Sequence, residues 1–226
     1  ASVAKLVLVV TFALELITTL WLASRLHWAY DLQWSDAAWS GLFHAVSAFN
    51  NAGFSLYPDS LMRFSSDAWI LSPIMAAIII GGIGFPVLHD LRNRFNHPQR
   101  WSLHTKLTLS GTAILLLGGW ATLLLFEWSN PGTLGPMAVT DKILSASFAS
   151  VSARTAGFNA IDIGALTRES WAVHYFLMFV GGGSAGTAGG VKVGTVAILA
   201  LLVIAEIRGH TDTEAFGRRV GAQAQR

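Results

Sequence analysis

The hexapeptide Phe49-Asn50-Asn51-Ala52-Gly53-Phe54 returns in altered form as Ala153-Arg154-Thr155-Ala156-Gly157-Phe158, about a hundred residues later. Each copy follows a short amphipathic stretch and sits between two long apolar runs. A single Ala-Gly-Phe reads equally well as a tight turn under a small-residue helix contact. Two copies in the same order of elements make an internal repeat: spanning helix, short helix, glycine loop, spanning helix. That order takes irregular backbone into a membrane and returns it to the side it came from. Such backbone is tolerated at membrane depth only where it is buried in protein or faces a water-filled path. The order therefore builds a pore.

Four apolar runs frame the two loops, at about Leu6–Leu26, Asp67–Leu88, Leu103–Phe126 and Trp171–Ile207. Only 12% of the residues are charged, about half the usual share of a soluble domain. The fourth run exceeds the ~20 residues of a simple span. Its middle reads Gly181-Gly182-Gly183-Ser184-Ala185-Gly186-Thr187-Ala188-Gly189-Gly190. Glycine costs roughly 1 kcal/mol per residue in a helix relative to alanine, so the run predicts a broken helix. The first run is long enough to span, and no small-residue cleavage site follows it as in a signal peptide. The chain has no cysteine, which excludes disulfides and thiolate metal sites.

Between the runs, Ser35–Ala48 carries Trp39, Leu42, Phe43 and Val46 at helical spacing, and Thr140–Ser152 carries Ile143, Leu144, Phe148 and Val151. Both are too short to span and read as re-entrant pore helices. Asp36 and Asp141 lie near their starts, where the helix dipole favours a carboxylate. Val46-Ser47-Ala48 and Val151-Ser152-Ala153 precede the two loops with a one-residue difference in length. Ile80-Gly81-Gly82-Ile83-Gly84 likewise corresponds in place to Val180-Gly181-Gly182-Gly183-Ser184.

The net charge of +2 is small and its basic residues cluster in loops, which points to topology rather than nucleic-acid binding. Arg92, Arg94, Arg100 and Lys106 fill one loop, Arg208, Arg218 and Arg219 the tail, and Lys5 precedes the first run. The positive-inside rule places all three on the cytoplasmic face. Asp31, Asp36, Asp59 and Glu127 then lie outside, and both pore helices enter from outside. Four crossings return the chain to the cytoplasm. Trp21, Trp28, Trp34, Trp39, Trp128 and Trp171 fall near the outer ends and read as interfacial anchors.

The C-terminal end of a pore helix carries a partial negative charge that favours a cation. A following loop with suitable backbone geometry can replace an ion's hydration shell with carbonyl oxygens. The candidate ion-binding residues are Asn50, Asn51, Ala52, Gly53 and Phe54 in one loop, and Arg154, Thr155, Ala156, Gly157 and Phe158 in the other. A metal ion at these loops would be a cation held by the backbone carbonyls alone.

The stretch from His44 to Leu56 resembles the second filter segment of the Ktr/Trk/HKT superfamily of potassium transporters, and Ser152–Asn159 resembles the third. Gly181–Lys192 is similar to the glycine-rich intramembrane loop of that family's third repeat. Ser102–Lys106 and Ser129–Thr133 extend the likeness over nearly the whole chain, with the Ktr-type membrane subunits most similar. The resemblance implies an all-α polytopic membrane protein with two consecutive M1–pore helix–M2 repeats, at 1–101 and 102–226, out of a family total of four. The chain is then a fragment. The resemblance also implies potassium uptake across the cell membrane, with Gly181–Gly190 and Lys192 as a gate beneath the filter. Implied partners are membrane lipid, a second copy of the full-length subunit and a cytosolic nucleotide-binding regulatory ring. No cofactor is expected beyond the transported potassium, and sodium as a coupling or activating ion is left open.

Gly181, Gly183 and Gly186 also fit G-x-G-x-x-G, with Glu206 following twenty residues after Gly186. A dinucleotide fingerprint needs a strand before it in a soluble βαβ unit, and a membrane-length apolar run supplies neither. Glu15 lies mid-span, either as a functional acid or as a hydrogen-bonded group between helices. Arg154 would repel potassium if it faced the axis, so it is expected behind the loop, holding carbonyls or a carboxylate such as Glu127. His44 reads as packing, Asp31 and Asp59 as solvated acids or a negative outer mouth, and Lys192 as either snorkelling or paired. Two other function classes compete: a non-conducting assembly subunit, and a membrane-embedded enzyme. The scattering of Glu15, Arg154 and Lys192 argues against the enzyme.

Overall fold

The computed structural model describes residues 2–208 and two further dipeptides, Glu214–Ala215 and Arg218–Arg219, which pair antiparallel as β1 and β2. The described chain is otherwise helical: α1 (Ser2–Tyr30), α2 (Trp34–Phe49), α3 (Ala68–Ile83), α4 (Phe85–Arg94), α5 (Leu103–Glu127), α6 (Val139–Ala153), α7 (Arg168–Phe179) and α8 (Val193–Ile207). The side chains of the tail arginines 218 and 219 lie outside the described residues, as does most of the basic tail.

Val7–Tyr30 of α1 and Leu103–Glu127 of α5 are long and apolar enough to cross a membrane. Large apolar side chains on their outer faces stand exposed, among them Phe12, Leu16 and Leu20 on α1 and Leu117 and Leu125 on α5. A helix that stays apolar around its circumference suits a lipid solvent. The short helices α2 and α6 open with Asp36 and Asp141 in their first turns. Their small faces are buried: Ala37, Gly41, Ala45 and Ala48 on α2, and Ser145, Ala146 and Ala149 on α6.

The second apolar run does not continue to Leu88 as one helix. It turns by 97° between α3 and α4. Gly84 makes the turn at φ +96°, and a Cβ there would overlap the carbonyl of Ser184. Pro86 then fits the first turn of α4, where its missing N–H leaves no helix acceptor unpaired. The fourth run breaks as expected, with α7 and α8 separated by residues 180–192.

The main core draws on both halves of the chain. Leu22, Ala37, Phe49, Ile70, Leu71 and Ile74 pack with Phe148, Val151 and Phe158. At one end, Asp67 caps α3 through Trp69 N–H (2.9 Å) and also accepts from Arg25 (2.9 Å) and the Tyr30 hydroxyl (2.9 Å). At the other end, the Asp90 carboxylate accepts from Ser102 N–H (2.8 Å), the Thr105 hydroxyl (2.8 Å) and Arg94 (3.1 Å), tying α4 to the start of α5.

A third carboxylate locks the end of α5. Glu127 has no exposed surface. It accepts from Asn130 Nδ2 (2.6 Å), the Thr133 hydroxyl (2.5 Å), Thr167 N–H (2.9 Å) and the Thr167 hydroxyl (2.7 Å). Thr167 is the N-cap of α7, so this one side chain joins α5, the following loop and α7. Glu127 is thus satisfied without Arg154, which takes the carbonyl alternative at Gly181 O instead.

Candidate functional site

Each Ala-Gly-Phe loop leaves the C-terminus of a short helix, α2 or α6, and both adopt the same backbone pattern. Asn51 (φ +51°) and Gly53 (φ +72°) are left-handed in the first, Thr155 (φ +73°) and Gly157 (φ +86°) in the second. Left-handed residues thus alternate with residues of negative φ in both loops. Left-handed φ is free for glycine, tolerable for asparagine and strained for β-branched threonine. Strain of that kind persists where the surroundings over-determine it, and it gathers at functional sites.

The helices hold the loops by matching bonds. Ser47 O accepts from Ala52 N–H (2.8 Å) and Ser152 O from Ala156 N–H (3.0 Å). The Ser47 hydroxyl donates to Phe54 O (2.8 Å), and the Ser152 hydroxyl to Phe158 O (2.5 Å). The two serines stand seven and six residues before their phenylalanines, which absorbs the one-residue difference in length. The echo of Val-Ser-Ala in the sequence contains both serines, although it does not say what they hold.

The two loops lie against each other. A Cβ on Gly53 would overlap the carbonyl oxygen of Ala156 and come within 2.9 Å of Gly157 Cα, so the contact needs glycine. Farther along, Leu61 N–H donates to Asn159 O (2.9 Å) and Asn159 N–H to Ser60 Oγ (3.1 Å). Phe158 is buried near His44, whereas Phe54 is 70% exposed. His44 is a packing residue: it bonds Ser40 O (2.7 Å) and Ser55 Oγ (3.0 Å) and stacks on Tyr57.

The Gly181–Gly190 loop lies directly against these two. Its neck is closed by Gly181 N–H to Val191 O (2.9 Å) and Val191 N–H to Phe179 O (3.0 Å). Gly183 N–H reaches Gly82 O (2.8 Å) and Thr187 N–H reaches Gly81 O (3.0 Å). The corresponding glycine segments of the two halves thus meet. The Thr187 hydroxyl donates to Phe49 O (2.7 Å) and accepts from Asn51 Nδ2 (2.8 Å). Gly189 N–H donates to Thr155 Oγ1 (3.0 Å). Ser184, Ala185, Gly189 and Gly190 are exposed, while Gly182, Gly183 and Ala188 are buried and Gly186 is half-buried.

The charged candidates sit around this assembly. Arg154 is buried and donates to Gly181 O (2.7 Å). Asn51 Oδ1 and Arg154 Nε face a cavity of about 10 Å³, and neither atom has a protein partner. That is room for about one water between two polar groups. Lys192 is half-buried and donates to Ala188 O (2.7 Å), which puts it at the loop's base. Glu15 accepts from Asn50 Nδ2 (3.1 Å), at the C-cap of α2. Asn50, Ala52 and Phe54 themselves are exposed.

The chain resembles known proteins along nearly its whole length. The profile of the TrkH family, described as cation transport protein, matches residues 1–224. The Ktr system potassium uptake protein B of Bacillus subtilis is 43% identical over 96% of this chain and 48% of its own length. The protein of the same name from Vibrio alginolyticus is 37% identical, over 94% of this chain and 47% of its own. Potassium/sodium uptake protein NtpJ of Enterococcus hirae is 38% identical, over 84% and 42%. The crystal structure of the potassium transporter TrkH from Vibrio parahaemolyticus superposes with a TM-score of 0.72 at 20% identity, covering 92% of this chain and 44% of that one. The chain spans about half the length of the curated relatives it matches. With a profile match that runs almost from end to end, and an architecture shared with a solved member, the chain belongs to the TrkH family of cation transport proteins.

Proposed function

We propose that this segment contributes to potassium uptake across the cell membrane. In this reading residues 1–101 and 102–226 are two M1–pore helix–M2 repeats of a longer transporter. Asn50–Phe54 and Arg154–Phe158 line its selectivity filter with backbone carbonyls. The observation that carries the reading is the matched, alternating-handed backbone of two loops that abut at the C-termini of two re-entrant helices. Partial negative charge at those termini favours a cation, and backbone carbonyls of the loops can replace its hydration shell. Gly181–Gly190, with Lys192 at its base, acts as the gate, since it is bonded to both loops and packs little apolar side chain. Arg154 acts through Gly181 O and does not face the ion.

The relatives are named as transporters, which sets the enzyme alternative aside. The likeness further supports a homodimer of the full-length subunit in the plasma membrane, resting on a cytosolic nucleotide-binding ring. The loop at Arg92–Lys106 is cytoplasmic and the loop after Glu127 external. Potassium is the substrate, and whether sodium also acts, as coupling or activating ion, is left to the uptake measurements. The deciding experiment is uptake by the full-length protein in a potassium-uptake-deficient host. Gly53→Ser and Gly157→Ser place a β-carbon where the loops need left-handed backbone, so both are expected to lose potassium preference while still inserting in the membrane. Unchanged potassium affinity and unchanged sodium exclusion in both variants would remove these loops from the filter.

A further inference from the structure

We propose that Asn51 and Thr155 are positioning residues that fasten the filter to the Gly181–Gly190 loop, so that release of the gate also loosens the filter's grip on potassium. The inference rests on the filter-and-gate reading above and adds a coupling between its two parts.

Asn51 and Thr155 occupy the same place in their loops, two residues before the filter glycine, and both are left-handed. Each uses its side chain on the Gly181–Gly190 loop: Asn51 reaches it across the two halves while also donating to Ile78 O (3.3 Å) in its own half, and Thr155 reaches it within its own half. Asn51 Nδ2 donates to Thr187 Oγ1 at 2.8 Å, and Thr155 Oγ1 accepts from Gly189 N–H at 3.0 Å. The two contacts differ in chemistry and agree in position. That agreement is what a functional requirement for attachment would leave after two repeats have diverged.

The roles at Thr187 are fixed by proton count. Its hydroxyl receives the Asn51 N–H, so its single proton goes to Phe49 O. Phe49 is the last residue of α2, where a carbonyl has no partner from the helix itself. Thr187 therefore caps the pore helix and holds the first left-handed residue of its loop with one oxygen. Arg154 adds a third tie, from the head of the second loop to Gly181 O. The Gly181–Gly190 loop cannot leave while these bonds stand. Once they break, Asn51 and Thr155 lose the contacts that offset their unfavourable backbone geometry. A filter that has lost its backing holds its carbonyls less firmly and discriminates less between ions. Coupling of this kind is reciprocal, so a filter that holds its closed geometry also holds the gate shut.

The test uses the full-length transporter in proteoliposomes without added regulatory protein. Thr187→Val and Thr155→Val preserve shape, including the β-branch at Thr155, and remove only the hydroxyls. Each variant is expected to raise unstimulated potassium flux about three- to tenfold, the worth of one net hydrogen bond. The potassium-to-sodium flux ratio should fall by a similar factor. Thr187→Ser keeps the hydroxyl and should behave as the parent. Assembly is checked by size exclusion, and Thr155→Val, which leaves the α2 cap intact, carries the test if Thr187→Val does not assemble. Flux and ratio both within about twofold of the parent would overturn the coupling. A rise in flux with an unchanged ratio would also overturn it, because the gate would then be tied to a filter that does not respond. Gly53→Ser, measured in parallel, separates the two failures: if it loses selectivity while the valine variants keep it, the filter reading stands and the coupling falls.

Discussion

Glu127→Gln offers a sharp measure of how the end of α5 is held. The carboxylate is fully buried and takes four hydrogen bonds, two on each oxygen. Glutamine has nearly the same shape, but one oxygen becomes an NH2. If the NH2 replaces Oε1, it faces the Thr167 N–H, which cannot turn away. If it replaces Oε2, it faces Asn130 Nδ2. Asn130 cannot flip to help, because its Oδ1 accepts from Gly132 N–H (3.0 Å) and its Nδ2 also donates to Ala165 O (2.8 Å). The threonine hydroxyls can rotate and accept, so each orientation strands one N–H. An unpaired buried donor costs about 1–3 kcal/mol, and the surviving bonds lose their charge assistance. Relief from burying a charge offsets part of that loss. The expected net is a destabilisation of about 2–3 kcal/mol, with Glu127→Leu worse because it leaves Asn130 Nδ2, Thr167 N–H and the Thr133 hydroxyl without their acceptor, while the Thr167 hydroxyl can still turn to Ser170 Oγ (3.0 Å). The assay is equilibrium unfolding of the full-length protein in lipid–detergent micelles, followed by tryptophan fluorescence. Glu127→Gln within about 0.5 kcal/mol of the parent would refute the argument, since it would mean that the four donors find other partners.

Gly84→Ala should prevent normal assembly, because its Cβ would overlap Ser184 O in a residue at φ +96°; the check is monodispersity and yield beside Gly118→Ala, which meets nothing within 4 Å. A cysteine introduced at Asn96 should react with an impermeant reagent from the cytoplasmic side only; labelling from outside would invert the proposed topology. Burial raises the pKa of Asp90, but bonds from Ser102 and Thr105 and the charge of Arg94 outweigh it and hold the carboxyl below its ordinary value. A folded-state pKa below the unfolded one gives stability that is present above the unfolded pKa and is lost as pH falls through the folded value. Asp90→Asn should therefore be less stable than the parent near neutral pH, with the gap closing as pH falls below about 4; a pH-independent gap would contradict this account.

Much of the architecture was open to reading because two local signals were strong. Apolar runs set α1 and α5, and glycine density set the break between α7 and α8. The repeated Ala-Gly-Phe located both loops, since glycine in a left-handed position leaves a mark in the sequence. The turn at Gly84 was missed because Ile80–Phe85 is apolar throughout and one more glycine there does not announce a positive φ. The bonds that hold the site were beyond reach for a different reason. Asn51 and Thr187 are 136 residues apart, and nothing local to either predicts a partner at that distance. Arg154 could be argued away from the axis by charge alone, but its acceptor, Gly181 O, is set by how α7 ends. Glu127 showed the same limit, since its donors Asn130, Thr133 and Thr167 become a set only once the loop folds back on α7.

Asn51 and Thr155 hold equivalent places but are separate codons. A ring assembled from identical subunits changes every copy of a position with a single mutation, which is a coarse step for a site tuned to sub-ångström differences between ions. Here a substitution touches one loop and leaves its counterpart as it was. The two attachments have already diverged, one an amide that donates and the other a hydroxyl that accepts. If these loops form the proposed filter, selection can adjust its ion preference in fractional steps, and a lesion in one loop lowers performance before it abolishes it.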